Sequence, residues 1–335
     1  MNVVIVGLGS IGEYYLEIIP KIVKKSNILV IEKAKLKKSK RYTQTSFNEI
    51  LKKKINIDYA IICTPSGLHF KHASFFLKKK CDVLIEKPFV LKLNHANELI
   101  SIANKNNLKC WTTLQNRYNL ATKKLKKEIN KKTIGKVNLV DCVLFWNREA
   151  TYYKNSGWRG KFSLDGGVLT NQAIHLLDML IYVFGPIKYF DAMASYNKSK
   201  LEAEDLIIIN FKHKNGILSS FKATTRANRN YRTAIDVIGS KGRYIVKGIA
   251  LNTFNIFTKN YIFEDKKNSQ KFNDGKGFGH LEVLREFLSS KKKSSQNLEI
   301  SKNIYVLEVI HSIYNLIKNR KKYNKIKNIN SPLGK

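Results

Sequence analysis

Residues 3–12 read VVIVGLGSIG, a run of β-branched residues that breaks into a glycine turn. A helix-like stretch, EYYLEIIPKIVKK, follows this turn and leads into a second apolar run, NILVIEK, at 27–33. The spacing of Gly7, Gly9 and Gly12 is that of a GxGxxG motif, in which the glycines permit a tight turn, close approach to a pyrophosphate and close helix packing. The stretch therefore predicts a strand, helix and strand that together bind a dinucleotide.

The predicted phosphate site lies where the turn meets the helix. Ser10 and Ile11 fall at this helix N-terminus, whose free N–H groups attract negative charge. Glu32 follows at the end of the second strand, where a carboxylate accepts hydrogen bonds from ribose hydroxyls and repels a ribose phosphate. We therefore expect NAD rather than NADP, although Lys33 and Lys35 lie close to this carboxylate.

Further strands and helices alternate through the first 120 residues. Apolar runs at 58–64, 81–87 and 109–114 are separated by helical stretches, a pattern typical of a doubly wound parallel sheet. Ligands of such sheets bind outside the carboxyl ends of the strands. The residues at these ends, which we expect to contact the cofactor, are Thr64, Pro65, His69, Glu86, Lys87 and Gln115.

The pattern changes after about residue 120. Long strand-like runs at 137–146, 187–196, 206–225 and 233–248 follow with few helices between them, and Asn215-Gly216 and Gly239 to Gly242 mark hairpin turns. These runs predict a second, α+β domain with a large open-faced, mainly antiparallel sheet. We expect a Rossmann domain at 1–120, a substrate-binding and oligomerisation domain at 121–318, and a basic tail at 319–335. An open sheet face needs covering, so we also expect a homo-oligomer, a dimer or a tetramer.

The formal net charge of +36 raises the question of nucleic-acid binding. Only ten of the 61 basic residues are arginine, and the lysines are scattered through every segment rather than gathered on one face. This distribution favours solvated lysines over a nucleic-acid interface, while a positive field still favours an anionic small substrate.

Other classes of protein are disfavoured by what the sequence lacks. The four cysteines stand far apart without a CxxC pair, which predicts neither a disulfide framework nor a metal site. No signal peptide is recognisable, and no apolar run is long enough to span a bilayer. We therefore expect a soluble, cytoplasmic protein without a membrane partner.

Lys87 is the first candidate for chemistry, because it stands between Glu86 and Pro88 at the mouth of an apolar strand. A lysine in this place can hydrogen-bond a hydroxyl group, and its pKa falls when it is desolvated. By residue type alone, a surface lysine is the more common interpretation. Its position at the edge where the cofactor opens favours the functional one.

His175 is the second candidate, within LDGGVLTNQAIHLLDML at 164–180. This stretch predicts a helix that ends at Gly185 and Pro186, with Asn171, His175 and Asp178 on one face. From the helix alone, two interpretations stay open: a buried histidine held by Asp178, or a proton acceptor.

Residues 1 to about 290 resemble the Gfo/Idh/MocA family of oxidoreductases, through GLGSIG, EKP and GGVLTNQAIHLLD in that order. The resemblance implies a Rossmann domain followed by an open-faced sheet domain, bound nicotinamide cofactor, and a lysine and a histidine beside the hydroxyl that is oxidised. Those two residues correspond to Lys87 and His175. Many members carry an aspartate four residues before the histidine, where this chain has Asn171, so a strict lysine, aspartate and histidine relay is not expected here.

Four further motifs resemble one subgroup, the dehydrogenases that oxidise the 3-hydroxyl of UDP-N-acetylglucosamine or its uronic acid for surface polysaccharides. They are SGWRG (156–160), DGGVLTNQ (165–172), ATTRA (223–227) and GFGH (277–280). The resemblance implies that Arg159, Asn171 and Gln172 bind the substrate. Arg226, Arg229 and Arg232 could also meet its diphosphate or carboxylate, but most of these arginines are expected to be solvated.

The expected activity is reversible hydride transfer from a sugar ring carbon to NAD. In this mechanism His175 accepts the hydroxyl proton, and Lys87 donates a hydrogen bond to the developing oxyanion. Two other functions remain open: a dehydrogenase of a free polyol or sugar such as an inositol, and an NAD-binding regulator without catalytic activity.

Overall fold

The computed structural model describes residues 1–197, 201–265, 279–289 and 297–319. Except for Asn319, the predicted tail lies outside these ranges, as do the first two residues of GFGH. Two sheets organise the described chain, one of six strands and one of eight. The predicted fold class, a Rossmann domain joined to an α+β domain with a mainly antiparallel sheet, is confirmed.

The first sheet is parallel throughout and has the order β3-β2-β1-β4-β5-β6. Its strands are β1 (Asn2–Val6), β2 (Asn27–Ile31), β3 (Thr43–Thr45), β4 (Tyr59–Ile62), β5 (Asp82–Ile85) and β6 (Cys110–Thr112). The intervening helices are α1 (Ser10–Ile22), α2 (Phe47–Lys52), α3 (His69–Lys78) and α4 (Leu93–Lys105). The strand order reverses at β1, which opens a crevice between the carboxyl ends of β1 and β4, where sheets of this type bind ligands.

The second sheet has the order β14-β13-β12-β11-β7-β10-β9-β8. Its strands are β7 (Val137–Phe145), β8 (Ile187–Ser195), β9 (Leu206–His213), β10 (Leu218–Thr224), β11 (Arg232–Gly239), β12 (Gly242–Lys247), β13 (Thr253–Thr258) and β14 (Tyr261–Glu264). Its neighbours are antiparallel, except that β7 and β10 are parallel. Both hairpin signals are confirmed, since Gly216 turns β9 into β10 at a φ of +89° and the second pair joins β11 to β12.

Six helices complete the described chain. They are α5 (Leu120–Asn130), α6 (Ala150–Lys154), α7 (Val168–Asn171), α8 (Ile174–Phe184), α9 (Gly279–Ser289) and α10 (Ile300–Asn319). Helices α5, α8 and α10 contribute to the apolar core on one face of the second sheet. Val283, Leu284 and Phe287 of α9 pack instead into the core beside β1, although the sequence assigns this segment to the second domain.

The predicted helix around His175 is wrong in one respect. It is broken into α7 and α8, so Asn171 ends one helix and His175 lies in the first turn of the next. Asp178 does not hold the imidazole, because its carboxylate is buried and paired with Arg117, whose Nε donates to Oδ2 at 2.9 Å. Gly185 ends α8 at a φ of +88°, as its sequence position predicts.

The four cysteines are small side chains that lie mostly in the core. Cys63, Cys81, Cys110 and Cys142 are free thiols, and all but Cys63 are buried. Within the described ranges, no three histidine, cysteine or acidic side chains gather as metal ligands would. None of the described helices combines the length and the hydrophobicity needed to cross a bilayer.

Candidate active site

The glycine loop after β1 has the shape that a dinucleotide requires. Gly7 takes a φ of +93°, and its N–H donates to the Ile31 carbonyl at 2.9 Å. A Cβ on Gly12 would lie 2.1 Å from the Gly7 carbonyl oxygen, whereas a Cβ on Gly9 would meet no protein atom within 4 Å. The loop is therefore closed on the protein side at Gly12 and open at Gly9, where a pyrophosphate would approach. Ser10 and Ile11 open helix α1 directly after it, as predicted.

Glu32 lies against the same loop. One carboxylate oxygen accepts a hydrogen bond from the Leu8 N–H at 2.8 Å and the other from the Lys33 N–H at 2.7 Å. These bonds fix the carboxylate at the end of β2, within reach of the ribose of a dinucleotide whose phosphates rest on the glycines. The loop, the helix terminus and this carboxylate together fit NAD.

The loop after β4 joins the two halves of the chain. Pro65 precedes a 3-10 turn at Ser66–Leu68, and the Gly67 N–H donates to the Leu164 carbonyl at 3.0 Å. Thr64 is held from the other side, because its hydroxyl lies 3.0 Å from Nδ1 of His72. The end of β4 is thereby docked on the segment that leads into α7.

His69 is buried behind this loop. Its Nδ1 lies 2.8 Å from the Pro88 carbonyl oxygen and its Nε2 lies 2.7 Å from the Thr64 carbonyl oxygen. Burial lowers the pKa of this imidazole. Since both ring nitrogens face backbone carbonyls, the side chain links the ends of β4 and β5. It has no free nitrogen for the cofactor contact that the sequence analysis expected of it.

Glu86 and Gln115 occupy the ends of β5 and β6. Glu86 is buried, accepts a hydrogen bond from the Tyr15 hydroxyl at 2.8 Å and accepts the Lys87 N–H at 3.2 Å. Its carboxylate therefore orients the backbone that carries Lys87. Gln115 is also buried, and its side-chain carbonyl has no hydrogen-bond partner among the described residues. An acceptor of this kind is suited to a ligand donor such as a carboxamide.

The side chain of Lys87, in the first half of the chain, bonds to the second half. Its Nζ donates to the backbone carbonyl of Asn171 at 2.6 Å, which fixes the ammonium group at the end of α7. Burial lowers the pKa of Lys87. The carboxylates of Glu86 and Asp165 act in the opposite direction and raise it, whereas the charges of Arg148 and Arg159 lower it further. Two carboxylates therefore offset part of the decrease in the Lys87 pKa that burial causes.

His175 lies in the first turn of α8 and is partly exposed. Within the described part of the chain, neither ring nitrogen has a hydrogen bond. Burial, the charge of Lys87 and the charge of His280 lower its pKa well below the usual value. His175 is therefore a neutral imidazole beside an ammonium group, which is the state that a proton acceptor needs.

Asp165 supplies a second carboxylate in the surroundings of Lys87. It accepts hydrogen bonds from the Asn171 side-chain amide, at 2.5 Å, and from the Gly160 N–H, at 2.9 Å. Burial raises its pKa to about 6. Lys87 thus has an acidic neighbour, although position 171 is an asparagine. The carboxylate belongs to Asp165, six residues earlier, and Asn171 bonds to both Asp165 and Lys87. Asp165 is the first residue of DGGVLTNQ, and its place in this motif is the signal that could have identified it.

Glu204 holds helix α7 in place. Its Oε1 accepts the Leu169 N–H at 2.9 Å and the Tyr314 hydroxyl at 3.0 Å. A Cβ on Gly167 would lie 1.9 Å from the other carboxylate oxygen, which explains the glycine at this place. Burial raises the pKa of Glu204 to about 7.

Gln172 and Arg159 lie beside an open cavity of about 680 Å³. The Gln172 amide donates to the Tyr152 hydroxyl at 3.3 Å, and the Arg159 guanidinium lies 4.1 Å from the Tyr152 ring centroid. The cavity is lined by Asn147, Arg148, Glu149, Thr151, Tyr152, Asn155, Ser156, Arg159, Asn228, Arg229 and Asn230. Sequence reasoning missed Arg148 and Tyr152, whose only signal was their position shortly after a strand.

The other candidate arginines separate in the structure. Arg229 lines the cavity with Arg159. Arg226 instead pairs with Asp205 at 2.5 Å, and Arg232 lies 3.6 Å from the carboxylate of Asp236. These ion pairs take Arg226 and Arg232 out of the set that is free to meet a substrate anion.

Family models match both halves of the chain. Residues 1–114 match the model described as an oxidoreductase family with an NAD-binding Rossmann fold, and residues 122–245 match the GFO/IDH/MocA C-terminal domain. The chain belongs to the Gfo/Idh/MocA family. It is an oxidoreductase of this family, and its cofactor is NAD.

Individual relatives are distant. Myo-inositol 2-dehydrogenase of Thermotoga maritima is 24% identical over 242 residues, which is 71% of this chain and 70% of the relative. The WlbA dehydrogenase of Bordetella pertussis, solved with NADH and UDP-GlcNAcA, has a TM-score of 0.78 at 23% identity, with 95% of this chain and 97% of that chain covered. WlbA of Chromobacterium violaceum, with the same ligands, has a TM-score of 0.80 at 23% identity and covers 95% and 94%. At this identity the likeness establishes the fold.

Proposed function

We propose that this oxidoreductase removes hydride from a ring carbon of a nucleotide sugar, at the 3-position of a UDP-N-acetylhexosamine or its uronic acid. The observation that carries the proposal is the hydrogen bond from Lys87 Nζ to the carbonyl of Asn171, four residues before His175. The bond holds the ammonium group of the first half against this backbone, and the charge of Lys87 reaches the imidazole of His175, whose pKa it lowers.

In the proposed reaction, His175 accepts the proton of the sugar hydroxyl. Its lowered pKa keeps the ring neutral and able to accept. Lys87 donates a hydrogen bond to the same oxygen as negative charge develops there, and an ammonium group has donors left after binding the Asn171 carbonyl. NAD, when bound, takes the hydride from the carbon.

The substrate class is supported by the cavity beside this pair. Arg159, Arg148 and Arg229 line it with several asparagines, an arrangement suited to an anionic and strongly hydrogen-bonding ligand. The WlbA structures were solved with UDP-GlcNAcA, which has this chemistry. We accordingly place the reaction in surface polysaccharide biosynthesis, such as that of lipopolysaccharide.

A second candidate is the oxidation of a free polyol or sugar. The match to myo-inositol 2-dehydrogenase of Thermotoga maritima, which covers 71% of this chain and 70% of that relative, supports this alternative. The geometry of Lys87 and His175 would serve an inositol hydroxyl equally well, so the substrates must be compared directly. An NAD-binding regulator without turnover is the third possibility, and the neutral imidazole beside Lys87 argues against it.

The test is a substrate panel followed by nicotinamide absorbance. We expect reduction of NAD with UDP-N-acetylglucosamine or its uronic acid, and none with myo-inositol, glucose or a methyl glucoside. Turnover of myo-inositol alone would replace the proposal by the second candidate. Absence of turnover with every sugar, despite NAD binding, would favour the regulator.

We also propose that the chain works as a homo-oligomer. The face of the second sheet opposite α8 exposes large apolar side chains in a polar surround. They include Leu139, Tyr189, Met193, Ile208 and Leu218. A second copy of the same sheet would cover this face.

A further inference from the structure

Two arginines in the cavity share one aromatic ring. The guanidinium carbon of Arg159 lies 4.1 Å from the centroid of Tyr152, and that of Arg148 lies 5.2 Å from the same centroid. Each arginine also stacks on a tryptophan, Arg159 on Trp158 at 5.1 Å and Arg148 on Trp146 at 4.7 Å. We call these five side chains the arginine ladder.

The ladder is charged but has no internal counter-ion. Neither Arg148 nor Arg159 forms an ion pair with a described residue, whereas Arg117, Arg226 and Arg243 each pair with an aspartate. The Nε atoms of both ladder arginines are buried and have no acceptor among the described residues. Guanidinium groups whose charge no ion pair balances favour an anionic ligand in the cavity that they line.

Glu149 is the carboxylate that shares this cavity. It is exposed to solvent and forms no ion pair with the ladder in the described structure. With Arg229 included, three guanidinium groups line the cavity against this one carboxylate, so the balance of charge still favours an anion.

Hydrogen bonds to neighbouring residues restrict three side chains of the arginine ladder, Trp146, Tyr152 and Arg148. The Trp146 indole N–H donates to the Thr233 hydroxyl at 2.6 Å, and the Tyr152 hydroxyl accepts the Gln172 amide at 3.3 Å. Arg148 is fixed further by its bond to the Asn147 carbonyl at 2.8 Å. Because stacking and hydrogen bonds already restrict these side chains, less conformational entropy is lost when a ligand binds.

The ladder also lies beside the reacting groups. Gln172, which bonds to Tyr152, precedes His175 by less than one helical turn. Arg148 and Arg159 are near enough to Lys87 to lower its pKa. A ligand that joined a sugar at Lys87 to an anionic group in the cavity would therefore span neighbouring sites.

We propose that Arg148 and Arg159 bind the diphosphate of the nucleotide sugar, with Tyr152 holding the two guanidinium groups around a common centre. The inference rests on the nucleotide-sugar function proposed above and names the residues that recognise the nucleotide. Arginine forks bind phosphate oxygens in pairs, which a lysine cannot do. The two guanidinium groups that stack on Tyr152 would each bind one of the two phosphates of a diphosphate.

The experiment measures binding of UDP, UMP and uridine to the NAD-loaded protein by calorimetry, without any turnover. Arg148→Lys and Arg159→Lys keep the charge and the apolar stem but lose the fork. Arg285→Lys is the matched control, since Arg285 is exposed, pairs with Glu282 and does not line the cavity. Far-ultraviolet circular dichroism and melting curves establish that each variant folds.

We expect wild-type protein and the Arg285→Lys control to bind UDP more tightly than UMP, and UMP more tightly than uridine. Each ladder variant should lose about 10- to 100-fold in affinity for UDP, the usual range for a charged hydrogen-bonded pair. Equal affinities for the three ligands in wild-type protein, or an equal loss in the control, would overturn the proposal.

Turnover separates this inference from the proposed function. If UDP binds through the ladder but no UDP-sugar is oxidised, the subsite stands and the proposed reaction falls. If UDP-sugars are oxidised and neither ladder variant raises KM, the reaction stands and the subsite falls.

Discussion

The two sheets bury their side chains in different ways. In β1, Val3, Val4, Ile5 and Val6 are all buried, because helices cover both faces of the parallel sheet. In β9, buried and exposed residues alternate, with Ile207 buried and Ile208 44% exposed. The difference indicates that the first sheet is complete within one chain, while the second still has a face to cover.

The two halves also build their ligand sites in different ways. The first uses backbone: a glycine loop, a helix terminus and one carboxylate within 26 residues of each other. The substrate site proposed for the second half uses side chains from separate segments, with Arg148 and Arg159 on one, Asp165 and His175 on another, and Arg229 on a third. The first half is therefore expected to recognise what all its relatives bind, and the second to choose the substrate.

The largest effect is expected where the halves meet. His175→Asn removes the proton acceptor and Lys87→Ala removes the hydrogen-bond donor, so each should lower kcat by about 10²- to 10⁴-fold. The NAD affinity of His175→Asn should stay close to that of wild type, because the glycine loop is untouched and His175 is not among the residues expected to contact the cofactor, and melting curves establish that both variants fold. Steady-state kinetics with calorimetry for NAD make the comparison. Wild-type turnover in either purified variant would contradict the roles given to these residues.

The glycine loop provides the next test, because it separates stability from cofactor binding. Gly12→Ala places a Cβ 2.1 Å from the Gly7 carbonyl oxygen, so it should destabilise the fold by about 1–3 kcal/mol. Gly9→Ala meets no protein atom within 4 Å and should leave the melting temperature unchanged. Gly9→Ala should instead lower the affinity for NAD by about tenfold or more, a loss of roughly 1.4 kcal/mol of binding free energy. Tight NAD binding by Gly9→Ala would show that the pyrophosphate does not approach there.

Asp165 should affect the pH dependence of the reaction. Its carboxylate, with a pKa of about 6, is ionised above that pH and raises the pKa of Lys87. In Asp165→Asn the Lys87 pKa falls, so the alkaline limb of the kcat/KM profile should move to lower pH, with a loss of up to about tenfold at alkaline pH.

The acid side supplies the control for this prediction. Below pH 6 wild-type Asp165 is protonated, so the two profiles should converge there. Glu17→Gln, at an exposed position on α1, changes the charge equally and should leave the profile unaltered. A parallel loss at every pH would mean that Asp165 only supports the fold.

The smallest effect on turnover is expected on the open sheet face. Ile208→Lys places a charge in the centre of that face and should shift an oligomer toward monomer in sedimentation velocity. Because Ile208 is already 44% exposed in one chain, folding and turnover should change little. Leu120→Lys is the control, since Leu120 is 60% exposed on α5, a helix that packs on the opposite, covered face of the sheet. A monomeric wild type would show that this face is not an interface between copies.

The sequence alone determined the features that depend on neighbouring residues. The glycine spacing and the alternation of apolar runs predicted the first sheet, and the hairpin turns predicted the second, because these signals are local. Lys87 could be selected by its place at a strand end, whereas His175 was selected by the resemblance of GGVLTNQAIHLLD to the family, since the helix alone left its role open.

Only the tertiary structure decided which side chains face each other. It broke the predicted helix before His175, assigned Asp178 to Arg117 and brought Asp165 into the surroundings of Lys87. It also separated Arg159 and Arg229, which line the cavity, from Arg226 and Arg232, which are paired with aspartates. These outcomes depend on contacts between segments far apart in the chain, and no local spacing encodes which carboxylate an arginine or lysine will meet once the chain has folded.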